Sequence, residues 1–111
     1  MTIQDLEALG ANTKEGLARC INNEGFYIRM VTLGLGDAGF EKLRVALAEG
    51  DLDAGFEAAH ALKGVMGNLA LTPIVEPVNE ITEHLRAREP MNYGPLMEKI
   101  MQERDKFLAL G

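Results

Sequence analysis

Strand-like alternation, clustered basic residues, paired cysteines and long apolar runs are all missing from this chain of 111 residues. Each absence excludes something. Without a period of two there is little basis for a β-sheet, and the apolar spacing that remains is helical, so the fold class is all-α. A single cysteine, Cys20, cannot close an internal disulfide, which fits a reducing cytosol. Lys and Arg number 11 against 17 Asp and Glu, a net charge of −6, which argues against nucleic acid and against an anionic membrane surface as partners. The opening Met1-Thr2-Ile3-Gln4-Asp5 has neither a basic nor a long apolar stretch, so no signal peptide or membrane span is expected. No Gly-x-x-x-x-Gly-Lys-Ser/Thr loop is present, and nothing else looks able to hold ATP. The expectation is a single cytoplasmic domain over residues 1–111.

What is present is helical. Short helices are predicted near Ile3–Leu9 and Thr13–Ile21, the second with Leu17, Cys20 and Ile21 inward. The Asn22-Asn23 pair closes it, and Asn23 can cap the next helix. There Phe26, Met30 and Leu33 form an apolar stripe, interrupted at Gly34 and Gly36. Asp37 can cap a continuation carrying Phe40, Leu43 and Leu47, and Gly50 suits the residue after a helix end. Asp51 or Asp53 caps the following helix. Thr72-Pro73 reads as a cap hydroxyl followed by proline at the first helical position, with Pro77 either kinking the first turn or moving the start later. Ile74, Val78, Ile81 and Leu85 line that helix, and Asn92-Tyr93-Gly94-Pro95 ends the segment. The last helix carries Leu96, Ile100 and Phe107 on one side, with Met97, Met101 and Leu108 beside them. Its acidic run from Glu98 to Asp105 reads as a solvated face. Four longer helices with short loops predict an antiparallel up-and-down four-helix bundle, with the short extra N-terminal helices capping one end.

The run from Ala58 to Leu69 carries the chemistry. On a helical wheel Ala59, Leu62, Met66 and Leu69 face the core. His60, Lys63, Gly64 and Gly67, at spacings of three, four and seven, share the opposite face. Each glycine inside a helix costs about 0.5–1 kcal/mol relative to alanine, so two of them beside an exposed imidazole suggest that something large approaches closely. A neutral imidazole is a nucleophile that can attack phosphorus, and Lys63 can stand beside the added group as a point charge. Phe56, four residues before His60, would give the surface an apolar rim.

The segment Ala58-Ala59-His60-Ala61-Leu62-Lys63-Gly64, with Asp51-Leu52-Asp53 before it and Asn68-Leu69 after it, closely resembles the phosphorylation motif of histidine-containing phosphotransfer (HPt) domains. Gly16-Leu17-Ala18-Arg19 and Phe26-Tyr27 are similar to the family's early helices, which extends the resemblance over roughly residues 10–108. The resemblance implies that His60 is the phosphoacceptor, that Lys63 stabilises the phosphoryl group, and that Gly64 and Gly67 let a receiver domain dock. It implies response-regulator receiver domains or a hybrid histidine kinase as partners, a carrier without kinase activity, and no cofactor of its own, Mg²⁺ coming with the receiver. Where the family often has glycine after the motif this chain has Ala70, which predicts that the helix runs further.

Two other readings start from the same residues. Glu57-Ala58-Ala59-His60 matches the Glu-x-x-His pattern of di-iron bundles, but those need a second copy, and the only other histidine, His84, follows Ile81. A helical adaptor without chemistry would never carry phosphohistidine. His84, among Glu80 and Glu83, reads as a solvated helix residue, and Cys20 as a small core residue.

Overall fold

The computed structural model describes every residue from Met1 to Gly111, as seven helices and the turns between them. They are α1 (Ile3–Ala8), α2 (Thr13–Arg19), α3 (Glu24–Leu35), α4 (Gly39–Ala48), α5 (Leu52–Asn68), α6 (Thr72–Arg86) and α7 (Gly94–Leu108). Short polar side chains start most of them, as donors left open in a first turn require. Thr2 and Asp5 form a reciprocal capping box on α1, Asn12 caps α2, Asn23 caps α3 and Asp51 caps α5. Asp37 accepts the amide of Gly39 at the head of α4, though Ala38 lies between it and the helix.

Four helices close a ring. α5 packs between α4 and α6, α7 packs on α6, and α7 also meets α4 and α3. Inside the ring are Phe40, Leu43, Ala59, Leu62, Met66, Ile74, Val78, Ile81, Leu85, Ile100 and Phe107, all buried. No helix is long and apolar enough to cross a membrane.

Several expectations are corrected. α2 stops at Arg19, and Ile21 is not inward: it is exposed and held at a positive φ of 57°. On α3 the buried face is Tyr27, Val31, Gly34 and Leu35, so Phe26 and Leu33 point to solvent. Gly34 does not interrupt α3. It lies within the helix, and its lack of a side chain is required there by packing: a Cβ would run into the Leu69 side chain and come within 3.6 Å of Met66 and Val65. Thr72 does not cap α6; Leu71 precedes the helix without a side-chain cap, and Thr72 and Pro73 begin it. Pro77 sits buried inside α6 without moving the start. On α7 Leu108 is exposed, and the acidic run is not wholly solvated: Glu103 is buried, bound by Lys99 and Lys106 at 3.0 Å each. Those two ammonium groups, Lys106 first, hold its carboxyl below its ordinary range.

α5 also ends earlier than Ala70 suggested. The chain turns in a Schellman motif, with Ala70 N–H donating to Gly67 and Leu71 N–H to Met66. Ala70 takes the left-handed position at φ 56°, where glycine is the usual occupant. The N-terminal helices pack over this turn. Arg19 donates to the Gly67 carbonyl, the Tyr27 hydroxyl to the Leu69 carbonyl at 2.7 Å, and the Asn12 amide to the Ala70 carbonyl at 2.9 Å. Carbonyls at a helix end lack their full set of partners within the helix, and α2, its cap residue Asn12 and α3 add donors from outside.

Tyr27 is central to that packing. Its ring fits because residue 16 is glycine; a Cβ there would stand 2.5 Å from it. Burial, with the Cys20 thiol a lesser cause, pushes the phenol from 10.0 to about 12. The folded chain therefore keeps a proton that the unfolded chain has lost, and this stabilisation, full below pH 10, disappears as pH rises to about 12. Tyr27→Phe should lose less stability than wild type across that window, as read from urea midpoints. Burial raises Tyr93 as well, so part of the alkaline loss should remain.

Candidate functional site

α5 is the longest helix, at 17 residues, and its two faces part as the wheel predicts. Ala59, Leu62 and Met66 are buried, while His60 and Gly64 are exposed and Lys63 and Gly67 half-buried. The core residues fix the rotation of the helix, and that rotation presents the imidazole to solvent. A Cβ placed on Gly64 or Gly67 would meet nothing within 4 Å. The surface around His60 is therefore bare and accessible, although Gly67 lends its carbonyl to Arg19.

Phe56 is half-buried and its ring stacks on the His60 imidazole, centroids 5.7 Å apart and planes 20° from parallel. The guanidinium of Arg86, from the end of α6, lies over the same Phe56 ring at 5.0 Å. Glu83 holds that guanidinium through a 3.0 Å bond to Nε. The imidazole thus has an ordered apolar neighbour. Helical spacing puts Phe56 beside His60 but gives no sign of Arg86, because that contact joins two helices 30 residues apart in the chain. Lys63 makes no salt bridge. Its ammonium is one turn from the imidazole and uncommitted.

Nothing here gathers a metal. No three His, Cys, Asp or Glu side chains cluster, so the single Glu57-x-x-His60 has no partners for a di-iron site. His84 is half-buried, and the carboxylate it meets is neither Glu80 nor Glu83 but Glu89, 2.8 Å from Nδ1. Cys20 is buried, as a small core residue would be.

The fold thus presents one imidazole on an open, side-chain-poor helix face. The chain belongs to the Hpt domain family, whose family model matches residues 36–109, more than half its length. That family implies histidine phosphotransfer in phosphorelay signalling, by phosphocarrier modules rather than kinases. The match takes in α4 to α7 with the His60 segment. The Gly16–Arg19 and Phe26-Tyr27 stretches lie outside it. No curated protein and no solved structure matches the chain.

Proposed function

We propose that this domain, residues 1–111, relays a phosphoryl group between receiver-domain aspartates, or takes it from a hybrid histidine kinase, as phosphohistidine at His60. The exposed imidazole beside the open faces of Gly64 and Gly67 carries this reading. In the transfer a ring nitrogen bonds to phosphorus as the bond from phosphorus to the aspartate oxygen breaks. The electron pair returns to the carboxylate, and the step runs in reverse toward the next receiver. The two glycines let the partner's backbone come close enough for the reacting atoms to meet. Phe56, with Arg86 over it, limits the imidazole's freedom before attack and rims the docking surface. Mg²⁺ and the aspartate belong to the receiver, and this chain supplies no cofactor. An up-and-down course of α4 to α7, suggested by their neighbour relations, and a cytoplasmic location are part of the same proposal.

Incubation with a receiver domain loaded by acetyl phosphate, followed by intact mass measurement, is the test. A single acid-labile phosphoryl adduct is expected, and no adduct with any competent receiver would end the proposal. Lys63 is assigned the phosphoryl group's counter-charge. Lys63→Ala should slow transfer or shorten the phosphohistidine lifetime while the melting temperature stays put, because a half-exposed, unpaired lysine adds little to stability. Equal rates and equal lifetimes would remove Lys63 from the mechanism.

A further inference from the structure

Three contacts fix the end of α6 against the start of α5, and they share one register. Asp53 binds Arg88. Leu85 lies against Gly55, where a Cβ would stand 3.5 Å from it. The Arg86 guanidinium lies 5.0 Å from the centroid of the Phe56 ring. The chain leaves α6 through a turn in which Arg88 N–H donates to the Leu85 carbonyl and Glu89 N–H to that of His84. Arg88 is left-handed there, at φ 54°, a conformation that a residue with a Cβ rarely takes. Its side chain is the one that reaches Asp53. Leu85 and Gly55 are buried, so the residues next to them, Arg86 and Phe56, meet at the rim of the core.

From there the contacts run in a line to the imidazole. Glu83 accepts from Nε of Arg86 at 3.0 Å, Arg86 lies over the Phe56 ring, and Phe56 stacks on His60. Glu83 and Arg86 are both about half exposed, so their ion pair adds little to stability. Its effect is geometric. A guanidinium is flat and stacks on an aromatic face, and a bond to Nε fixes how it lies. An exposed histidine on a helix has two open χ1 wells and a two-fold χ2, about four orientations in all. A stack that holds the ring near one of them raises the fraction of molecules ready to react.

We infer that Arg86 and Glu83 of α6 are positioning residues for phosphoryl transfer at His60, acting through the Phe56 ring. The inference rests on the phosphotransfer reading and adds to it two residues that touch neither the donor nor phosphorus. Glu83 holds Arg86, Arg86 pins the ring, and the ring orients the imidazole for in-line attack. All of this is in place before a donor arrives, so every donor benefits alike. With phosphoramidate, for example, a ring nitrogen of His60 bonds to phosphorus as the phosphorus–nitrogen bond breaks, and ammonia leaves with the electron pair.

The test is the rate at which phosphoramidate, too small to need a docking surface, labels His60 in wild type and in variants of this line. Phe56→Leu should label about fourfold more slowly, the number of orientations released. Arg86→Gln should lose about half that factor, since the ring stays but is no longer pinned, and Glu83→Gln less again. Arg86→Lys keeps a cation for the ring and should recover part of the rate. The double variant Phe56→Leu/Arg86→Gln should be no slower than Phe56→Leu, because Arg86 acts only through the ring. With a receiver loaded by acetyl phosphate, the loss should sit in the rate at saturation, with KM kept. In proton NMR, the upfield displacement that the Phe56 ring gives the His60 ring protons should shrink in Arg86→Gln. If Phe56→Leu melts early, Arg86→Gln and Glu83→Gln decide, since both change exposed side chains. Equal labelling of these variants and a labelled wild type overturns this proposal alone. So does a slow Arg86→Gln beside a normal Phe56→Leu, since Arg86 would then act on the phosphoryl group itself. A loss confined to KM with receivers makes these residues docking contacts and overturns it too. A wild type that neither donor labels overturns the phosphotransfer reading, and this proposal with it.

Discussion

His60→Gln takes up no phosphoryl group from receiver or small-molecule donor, and it melts where the wild type does. This is the largest effect expected of any single change. The imidazole is exposed, so its removal leaves no cavity, and its one close side-chain neighbour, Phe56, remains packed under Arg86. Glutamine has helix propensity at least equal to histidine's and a similar polar reach. What it lacks is a nitrogen lone pair, because the amide nitrogen's electrons are delocalised into the carbonyl. The measurement is acid-labile label per mole of protein beside a thermal melt. Label surviving in His60→Gln would move the phosphoacceptor to the only other histidine, His84, which is bound to Glu89.

The second large effect concerns Gly64. Gly64→Leu should abolish most receiver-dependent transfer while raising the melting temperature. The two changes have separate physical causes. Glycine lies roughly 0.8–1 kcal/mol below alanine in a helix and leucine only slightly below it, and nothing lies within 4 Å of the new Cβ to oppose the change. The same open space is what a partner must enter. In-line transfer needs the reacting atoms about 3–3.5 Å apart, and 1 Å of misplacement costs on the order of 100-fold. Gly67→Leu should behave similarly, though the Arg19 bond to the Gly67 carbonyl makes Gly64 the cleaner site. Early melting would mean that these glycines face a neighbouring helix after all. Normal transfer by a stable variant would mean that close approach is not why glycine stands there.

The helix that carries the site was the most legible part of the chain. Ala59, Leu62 and Met66 are spaced so that only one rotation buries all three, and that rotation turns His60 outward without further information. α3 was misread because two apolar stripes run along it one residue apart. Phe26-Met30-Leu33 and Tyr27-Val31-Leu35 both satisfy helical spacing. The decision is made by contacts that spacing cannot reveal: the Leu69 carbonyl that accepts the Tyr27 hydroxyl, and the bare Cα of Gly34 against Leu69. Glu103 misled for a related reason. A carboxylate reads as solvated until lysines four residues before and three after it turn the same way. Ala70 misled in the opposite direction, since its propensity favours helix while the Schellman turn requires its left-handed backbone.

The closing turn of α5 also bears on where this domain can be cut. A chain trimmed to begin at residue 36 would keep every position of the family match. It would also strip the Arg19, Tyr27 and Asn12 donors from the carbonyls of Gly67, Leu69 and Ala70, and would bare the Leu69 side chain that Gly34 now covers. The helix would then fray from the end nearest Gly64 and Gly67. In hydrogen exchange, the amides of α2, α3 and the last turn of α5 should open together as a single cooperative unit.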